Sequence, residues 1–184
     1  MRKLLLAVVL TSLSTLTYAS NFKLSSPEIK ANSTIPKSFE FNGFGCSGEN
    51  KSPILKWSGA PKNTKSFAVT VYDPDAPTGS GWWHWLVTNI PVDVTELASN
   101  AGAINSTTLP KDAVQGRADY GMAAWGGTCP PQGDKPHHFI FTVYALKVDK
   151  LGIPSDATAA LTGYMIHANM IDKASFTATY SRSK

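Results

Sequence analysis

Three residues sit where a loop rich in glycine and proline runs into a hydrophobic strand: Asp73, His84 and His137. A carboxylate beside an imidazole favours the protonated ring, and a protonated ring attracts an anion. Gly126 and Gly127 can present backbone N–H groups to the same anion, as successive amides in a nest do. Pro77, Pro130 and Pro131 have no N–H and little freedom, so they make stiff walls. Together these residues point to a site that holds a small phosphate or carboxylate without Lys or Arg. The competing chemistry is general acid–base catalysis by Asp73 and the histidines on a phosphoester or ester. Against it, the chain has no Gly-x-Ser-x-Gly elbow and no second motif that supplies a nucleophile. No Cys-x-x-Cys or His-x-x-x-His spacing suggests a metal site, and no cofactor motif is present.

Each residue also has a plainer role open to it. Asp73 can cap its own Asp-Pro turn, and Asp75 reads as such a turn residue. His84, flanked by tryptophans, can be a core histidine, and Trp82, Trp83 and Trp85 read as packing behind a pocket rather than as its contents. His137 and His138 alternate faces along a strand, so both cannot enter one pocket. His138 is therefore expected to be structural or exposed.

The elements that must position this set are mostly strands. Residues 67–72 alternate with period two, so that Phe67, Val69 and Val71 share a face. Residues 85–90 are aromatic and β-branched, which suits a half-buried sheet. Residues 137–146 are the clearest strand, with His137, Phe139, Phe141 and Val143 on one side. Shorter strands are expected over 22–29, 37–41, 55–57 and 176–180. Residues 42–53 read as loop, and 93–115 as a long irregular crossover. One helix is expected over 157–171, with Ala157, Ala160, Leu161, Tyr164, Met165, Ala168 and Ile171 as its apolar stripe. Ser155 or Asp156 is placed to cap it after Pro154. Several strands, long loops and one late helix indicate a mainly β protein, two packed sheets.

The chain starts with Arg2 and Lys3, an apolar run from Leu4 to Leu10, and small residues ending at Ala19. This pattern is that of a secretory signal peptide over 1–19, leaving one domain over 20–184. The apolar run is too short to span a bilayer, so no stable membrane insertion is expected. Taking away Arg2 and Lys3 leaves 15 basic residues against 13 acids. That mild balance, with no basic run or helix face, gives no case for nucleic acid. The expected location is periplasmic or secreted. Cys46 and Cys129 form an even pair in such a chain, which suggests a disulfide. They lie about 80 residues apart, and closing that loop contributes roughly 4–5 kcal/mol on the chain-entropy account. Two unpaired buried thiols are the alternative. Asn32-Ser-Thr and Asn105-Ser-Thr match the glycosylation acceptor pattern, which in a host without that machinery is merely loop.

Asp73-Pro-Asp-Ala-Pro77, the Trp-His84-Trp-Leu-Val-Thr-Asn run, and Pro130-Pro-Gln-Gly leading to His137-His-Phe occur in this order and spacing. Together they resemble the phosphatidylethanolamine-binding protein family, also called Raf kinase inhibitor-like. The loop over 43–53 and the Gly-Gly-Thr-Cys-Pro-Pro stretch look like its bacterial YbhB/YbcL branch, and the leader like its exported type. The resemblance covers essentially the whole mature chain. It implies a β-sandwich-like fold with a large central sheet, a smaller antiparallel sheet and peripheral helices, one of them near the C-terminus. It implies an anion pocket lined by Asp73, His84 and His137, walled by Pro77, Gly127, Pro130 and Pro131. Phe139 stands where eukaryotic members carry a tyrosine, and the loop over 78–81 is shorter than theirs. Cys129 occupies a position that is often glycine. The implication is thus a generic anion pocket rather than phosphoethanolamine specificity.

Three functional classes follow: a non-enzymatic binder of small anions or phospholipid head groups, a protein-interaction module that inhibits a protease or signalling partner, and a hydrolase. The first is preferred. A homodimer is left open. Ala76-Pro77 and Pro130-Pro131 are the candidates for cis peptide bonds in tight loops.

Overall fold

The computed structural model describes residues 21–184, so the leader expected over 1–19 lies outside the described residues. The chain passes through β1 (Lys23–Ser25), β2 (Asn42–Gly43), β3 (Cys46–Ser47), β4 (Leu55–Ser58), β5 (Ser66–Asp73), β6 (Trp82–Pro91), β7 (Glu96–Leu97), β8 (Val114–Gln115), β9 (His137–Leu146), α1 (Ala159–Asn169) and β10 (Met170–Tyr180). The main sheet has five strands in the order β10-β9-β5-β6-β8, and a second has three in the order β1-β4-β7. A short hairpin joins β2 to β3. Every pairing between named strands is antiparallel.

Alternation along the strands builds the core. Phe67, Val69 and Val71 of β5, Trp85 and Val87 of β6, and Phe139, Phe141 and Val143 of β9 form one apolar face. Leu24, Leu55, Trp57 and Leu97 of the smaller sheet meet it. The opposite face carries Ala68, Tyr144 and Leu146, which pack with Leu151 and with Ile166 of α1. The central strands are covered on both sides, so β5 and β9 read as nearly continuous buried runs.

Several elements differ from expectation. Residues 37–39 form a 3-10 turn rather than a strand, started by Pro36, and Phe39 and Phe41 are nonetheless buried. The crossover over 93–115 contains β7 and β8, two-residue pairings too short to show a period. The helix is present, but its buried face is Ala159, Thr162, Gly163 and Ile166, while Leu161 and Tyr164 are exposed. Small residues face inward because the Trp83 ring lies against Gly163, where an added Cβ would stand 3.7 Å from it. Hydrophobicity alone selects the larger side chains and hence the wrong face. Thr158 caps the helix, its side chain accepting from the Leu161 N–H, rather than Ser155 or Asp156. Among the described residues no peptide bond is cis, including those before Pro77 and Pro131.

Candidate functional site

The antiparallel order places β5 between β9 and β6, so its C-terminal end lies beside the first residues of both neighbours. Asp73 ends β5, His137 starts β9, and His84 is the third residue of β6. His137 Nδ1 donates to Asp73 Oδ2 at 2.8 Å, with both side chains about 95% buried. The other Asp73 oxygen, Oδ1, accepts the Asp75 N–H at 2.8 Å. Asp73 therefore does both things the sequence left open: it closes its own turn and it holds a histidine. His137 Nε2 lies 3.5 Å from Asp134 Oδ2, so both ring nitrogens face carboxylates. His138 turns away and pairs with Asp75 on the exterior, Nδ1 to Oδ2 at 2.7 Å.

His84 is set by a bulge. Val71 pairs with Trp85 and Tyr72 with Trp83, so His84 has no partner on β5. Strict alternation would put Trp83 and Trp85 on one face. The extra residue sends Trp85 into the inter-sheet core and Trp83 to the opposite face, beside Leu86 and Ala159. The His84 ring stands edge-on to Phe139 at 5.0 Å and to Tyr120 at 5.6 Å. Its Nδ1 lies 2.7 Å from the Gly126 carbonyl and 3.1 Å from the Gly127 carbonyl. Carbonyl oxygens only accept, so Nδ1 carries the proton. Nε2 is buried and has no hydrogen-bond partner in the protein.

The loop over 126–131 is tied down by several independent contacts. Cys46 and Cys129 form a disulfide, closing a loop of 83 residues. The Thr128 N–H donates to the Phe39 carbonyl and the Phe41 N–H to the Thr128 carbonyl. Arg182 donates through Nη2 to the Gly45 carbonyl at 2.7 Å and through Nη1 to the Pro130 carbonyl at 3.3 Å, bridging the same two loops. Beneath them Glu40 is buried and accepts from the Ser47 N–H and the Tyr180 hydroxyl. Burial pushes the Glu40 carboxyl up, but those hydrogen bonds, with Lys37 and Arg182 nearby, outweigh it and hold the carboxyl below 4.5. The Tyr180 hydroxyl is pushed up to about 12 by burial and by Glu40.

Asp73, His84 and His137 line one cavity of about 170 Å³, together with Pro77, Pro130 and Pro131. Gly127, the remaining wall residue expected, and its neighbours in the reading, Gly126 and Phe139, are placed differently. The Gly127 N–H donates to Asn50 Oδ1 and the Gly126 N–H to the His84 carbonyl, so neither amide is available as an anion nest. Their glycines serve close approach instead: a Cβ at Gly127 would stand 2.3 Å from the Phe39 carbonyl oxygen, and one at Gly126 2.0 Å from the Tyr120 ring. Phe139 is fully buried and supports the His84 ring from beneath rather than lining the cavity.

Sequence reasoning missed Trp82, Tyr120 and Phe44, which also line the cavity. Trp82 is the first residue of β6 and lines the cavity rather than packing behind it. Tyr120 stacks on Phe41 at 4.2 Å and donates its hydroxyl to the Gly127 carbonyl at 2.8 Å. The preceding Asp119 anchors it by accepting the Trp83 N–H at 2.8 Å. Phe44 is 73% exposed at the mouth, with φ +54° between two glycines. Nothing local in the sequence marks Tyr120; the flanking glycines at 43 and 45 are the only sign for Phe44.

The electrostatics limit what the site can do. Burial pushes the His84 imidazole below its ordinary value of 6.5, outweighing the Gly126 and Gly127 carbonyls and the Asp73 and Asp119 charges that pull the other way. His84 is thus neutral at pH 7 and offers a lone pair at Nε2. Burial and the Asp73 charge push the Tyr120 hydroxyl well above its ordinary range. The hydroxyl and sulfur nucleophiles at the cavity are engaged: Cys129 in the disulfide, the Thr78 hydroxyl on the Gly81 carbonyl, and the Tyr120 hydroxyl on Gly127. Among the described residues no group of three or more His, Cys, Asp or Glu is arranged to hold a metal ion.

The family model described as phosphatidylethanolamine-binding protein matches residues 25–181. The UPF0098 protein YbcL of Escherichia coli K12 is 53% identical over 180 residues, covering 98% of each chain. YbhB of the same organism is 42% identical over 159 residues, covering 86% of this chain and 99% of that one. The crystal structure of E. coli YbcL, described as a new member of the mammalian PEBP family, superposes with a TM-score of 0.86 at 56% identity, over 89% of this chain and 99% of that one. A PEBP homologue, CT736 of Chlamydia trachomatis, superposes with a TM-score of 0.73 at 28% identity, over 89% and 99% of the two chains.

Proposed function

This chain belongs to the phosphatidylethanolamine-binding protein family, and from that premise we propose that it is an exported, non-enzymatic binder of small oxyanions such as phosphate, phosphorylated head groups or carboxylates. The observation that carries this reading is the buried Asp73–His137 pair opening onto the same cavity as His84. A carboxylate bonded to Nδ1 holds the imidazole in place, and when both ring nitrogens carry protons the Nε2–H can donate to an anion. The walls are prolines and aromatics, which exclude water and strengthen that contact. Binding without turnover fits the engaged state of Thr78, Tyr120 and Cys129.

The test is a thermal-shift titration with inorganic phosphate and phosphoethanolamine. A rise in Tm that His137→Ala abolishes supports the reading; no rise with either, and none with a carboxylate, removes it. Turnover of a chromogenic phosphoester or ester, lost in Asp73→Asn, would move the site to the hydrolase class.

One observation favours a protein partner as well. Phe44 is a bulky residue held in the left-handed region and largely exposed at the cavity mouth, tilted against Phe41 at 5.5 Å and stacked on Tyr120 at 5.7 Å. Such strain is retained where the side chain has a use. Capture of a partner from the exported compartment, lost in Phe44→Ala but kept in His137→Ala, would place that interaction on the rim rather than in the pocket.

A further inference from the structure

The polarity of the cavity is uneven, and it says which oxyanions fit. Donors at its polar end are scarce. The Gly126 and Gly127 N–H groups are turned to the His84 carbonyl and to Asn50, and the Tyr120 hydroxyl donates to Gly127. What remains for a ligand is the Nε2 edge of His137, the Nε2 edge of His84 and the indole N–H of Trp82, which lines the cavity and has no partner in the protein. The two histidine edges are not alike. His137 is bonded through Nδ1 to Asp73 and has Asp134 beyond Nε2, so both nitrogens donate when the ring is protonated. His84 has its proton fixed on Nδ1 by two carbonyl oxygens, at 2.7 and 3.1 Å, which leaves Nε2 as a lone pair. That lone pair is on a side chain 98% buried, lines the cavity and has no partner. A buried acceptor without a donor is costly, so the occupant of the cavity is expected to bring one.

Resting on the anion-binding reading, we infer that the pocket selects oxyanions that keep a proton on one oxygen, namely hydrogenphosphates and phosphomonoester monoanions, over those that keep none, namely sulfate and phosphodiesters. In the bound state an ionised oxygen accepts from His137 Nε2–H while the P–OH donates to His84 Nε2. The ligand's tetrahedral geometry spans the two histidines, and its single retained proton matches the single unpaired acceptor. Sulfate has the same shape but puts an oxygen lone pair against a nitrogen lone pair. A phosphodiester carries one negative charge, as the monoester monoanion does, yet has no proton to give. Intact phospholipids are phosphodiesters, so the same argument favours a free phosphorylated head group over a lipid still in a bilayer. The groups facing His84 reinforce the choice. Asp73 and Asp119 are the acids that act on it, Asp134 lies beyond His137, and the Tyr120 hydroxyl is spent on the Gly127 carbonyl, so an ionised oxygen finds its donors at His137 and the Trp82 indole and none at His84.

The experiment is a calorimetric comparison of inorganic phosphate, methyl phosphate, sulfate and dimethyl phosphate on the full mature chain at neutral pH and constant ionic strength. One well-made hydrogen bond against one unpaired buried acceptor is worth at least about a tenfold difference in Kd. Phosphate and methyl phosphate should both bind at least that much more tightly than sulfate and dimethyl phosphate. Sulfate or dimethyl phosphate matching phosphate overturns the inference while leaving the anion reading intact. Failure of all four to bind overturns the inference, and failure of acetate as well overturns the anion reading. His84→Gln supplies an amide N–H at the same edge and should shrink the ratio towards one; a ratio that persists in that variant also overturns the inference. Should that variant not fold, the comparison on the unaltered protein still decides.

Discussion

Asp73 and His137 are 64 residues apart in sequence, yet His137 Nδ1 and Asp73 Oδ2 meet at 2.8 Å between adjacent strands. The contact exists because β5 ends where β9 begins and the two run antiparallel. Replacing Asp73 by Asn keeps the volume and the turn but removes the charge that complements the ring. Asp73→Asn is expected to lose about 1.5–3 kcal/mol, the range for a hydrogen bond to a charged group, and to remove the Tm rise with phosphate. Urea unfolding with and without phosphate measures both effects. A variant of native stability that binds phosphate as before would show that the pair is incidental.

Asp134 lies 3.5 Å from His137 Nε2, on the side from which an anion would approach. Its carboxylate is about half exposed and competes with a ligand for the same edge. Removing that charge in Asp134→Asn should tighten phosphate binding by about fivefold, the equivalent of roughly 1 kcal/mol for a screened charge pair. The gain should shrink as salt rises. Calorimetry at two ionic strengths tests this, and weaker binding in the variant would mean that Asp134 helps hold the ligand.

Much of this arrangement was legible before the fold was known, because strand ends could be placed. Residues 67–72 and 137–146 are apolar runs bounded by turn residues, and the structure puts β5 and β9 there as neighbours. The pairing of Cys46 with Cys129 was legible from the even count and the expected export, and the disulfide is present. What was not legible depends on departures from period. The bulge at His84 moves Trp83 to the other face, and no single-strand pattern encodes a residue that is skipped in the partner's register. Gly126 and Gly127 look like an anion nest in sequence, but glycines also occur where backbones crowd, and here the Phe39 carbonyl and the Tyr120 ring take the space. Tyr120 enters the site through tertiary contacts alone. The helix was misread because its buried face is made of small residues fitted to the Trp83 ring.

That misreading leads to a stability prediction. Gly163 lies within α1 and an added Cβ would meet Trp83 at 3.7–3.8 Å, an ordinary contact distance. Gly163→Ala should therefore raise stability by about 0.5–1 kcal/mol through reduced backbone freedom in the unfolded chain. Thermal and urea unfolding read this directly, and a loss of stability would mean that the helix sits closer to β6 than the packing distance allows.

The disulfide holds a pocket wall as well as a long loop. Cys129 lines the cavity, and its partner Cys46 lies two residues after Phe44 at the mouth. Cys46→Ser with Cys129→Ser should lose up to about 4–5 kcal/mol by the loop-entropy account. The Arg182 contacts to Gly45 and Pro130 remain and should keep the wall partly in place. Phosphate affinity is thus expected to fall less than stability does. Denaturation with and without reductant, followed by phosphate titration of the reduced protein while still folded, separates the two. An unchanged unfolding midpoint on reduction would contradict the entropic role.

The pH dependence of folding provides a separate check on His84. Its folded-state pKa lies below the ordinary 6.5, with burial as the main cause. Just below pH 6.5 the unfolded chain therefore binds more protons than the folded one, and acid favours unfolding. The stability tied to a neutral His84 is fully present above pH 6.5 and declines as pH falls below it, with a slope of at most about 1.4 kcal/mol per pH unit. Glu40 adds a second decline at lower pH. Its carboxyl is held below 4.5 in the fold, so its contribution is present above 4.5 and lost as pH drops through the folded value. Urea midpoints across this range should show two steps, the upper one absent from His84→Gln and the lower one reduced in Glu40→Gln, where Asp75, also held low by its hydrogen bonds from His138, still contributes. Comparing slopes rather than absolute stabilities removes the cost of the substitutions themselves. An upper step that survives in His84→Gln would assign the proton uptake to another histidine, and Nε2 of His84 would then no longer be the acceptor on which ligand choice turns.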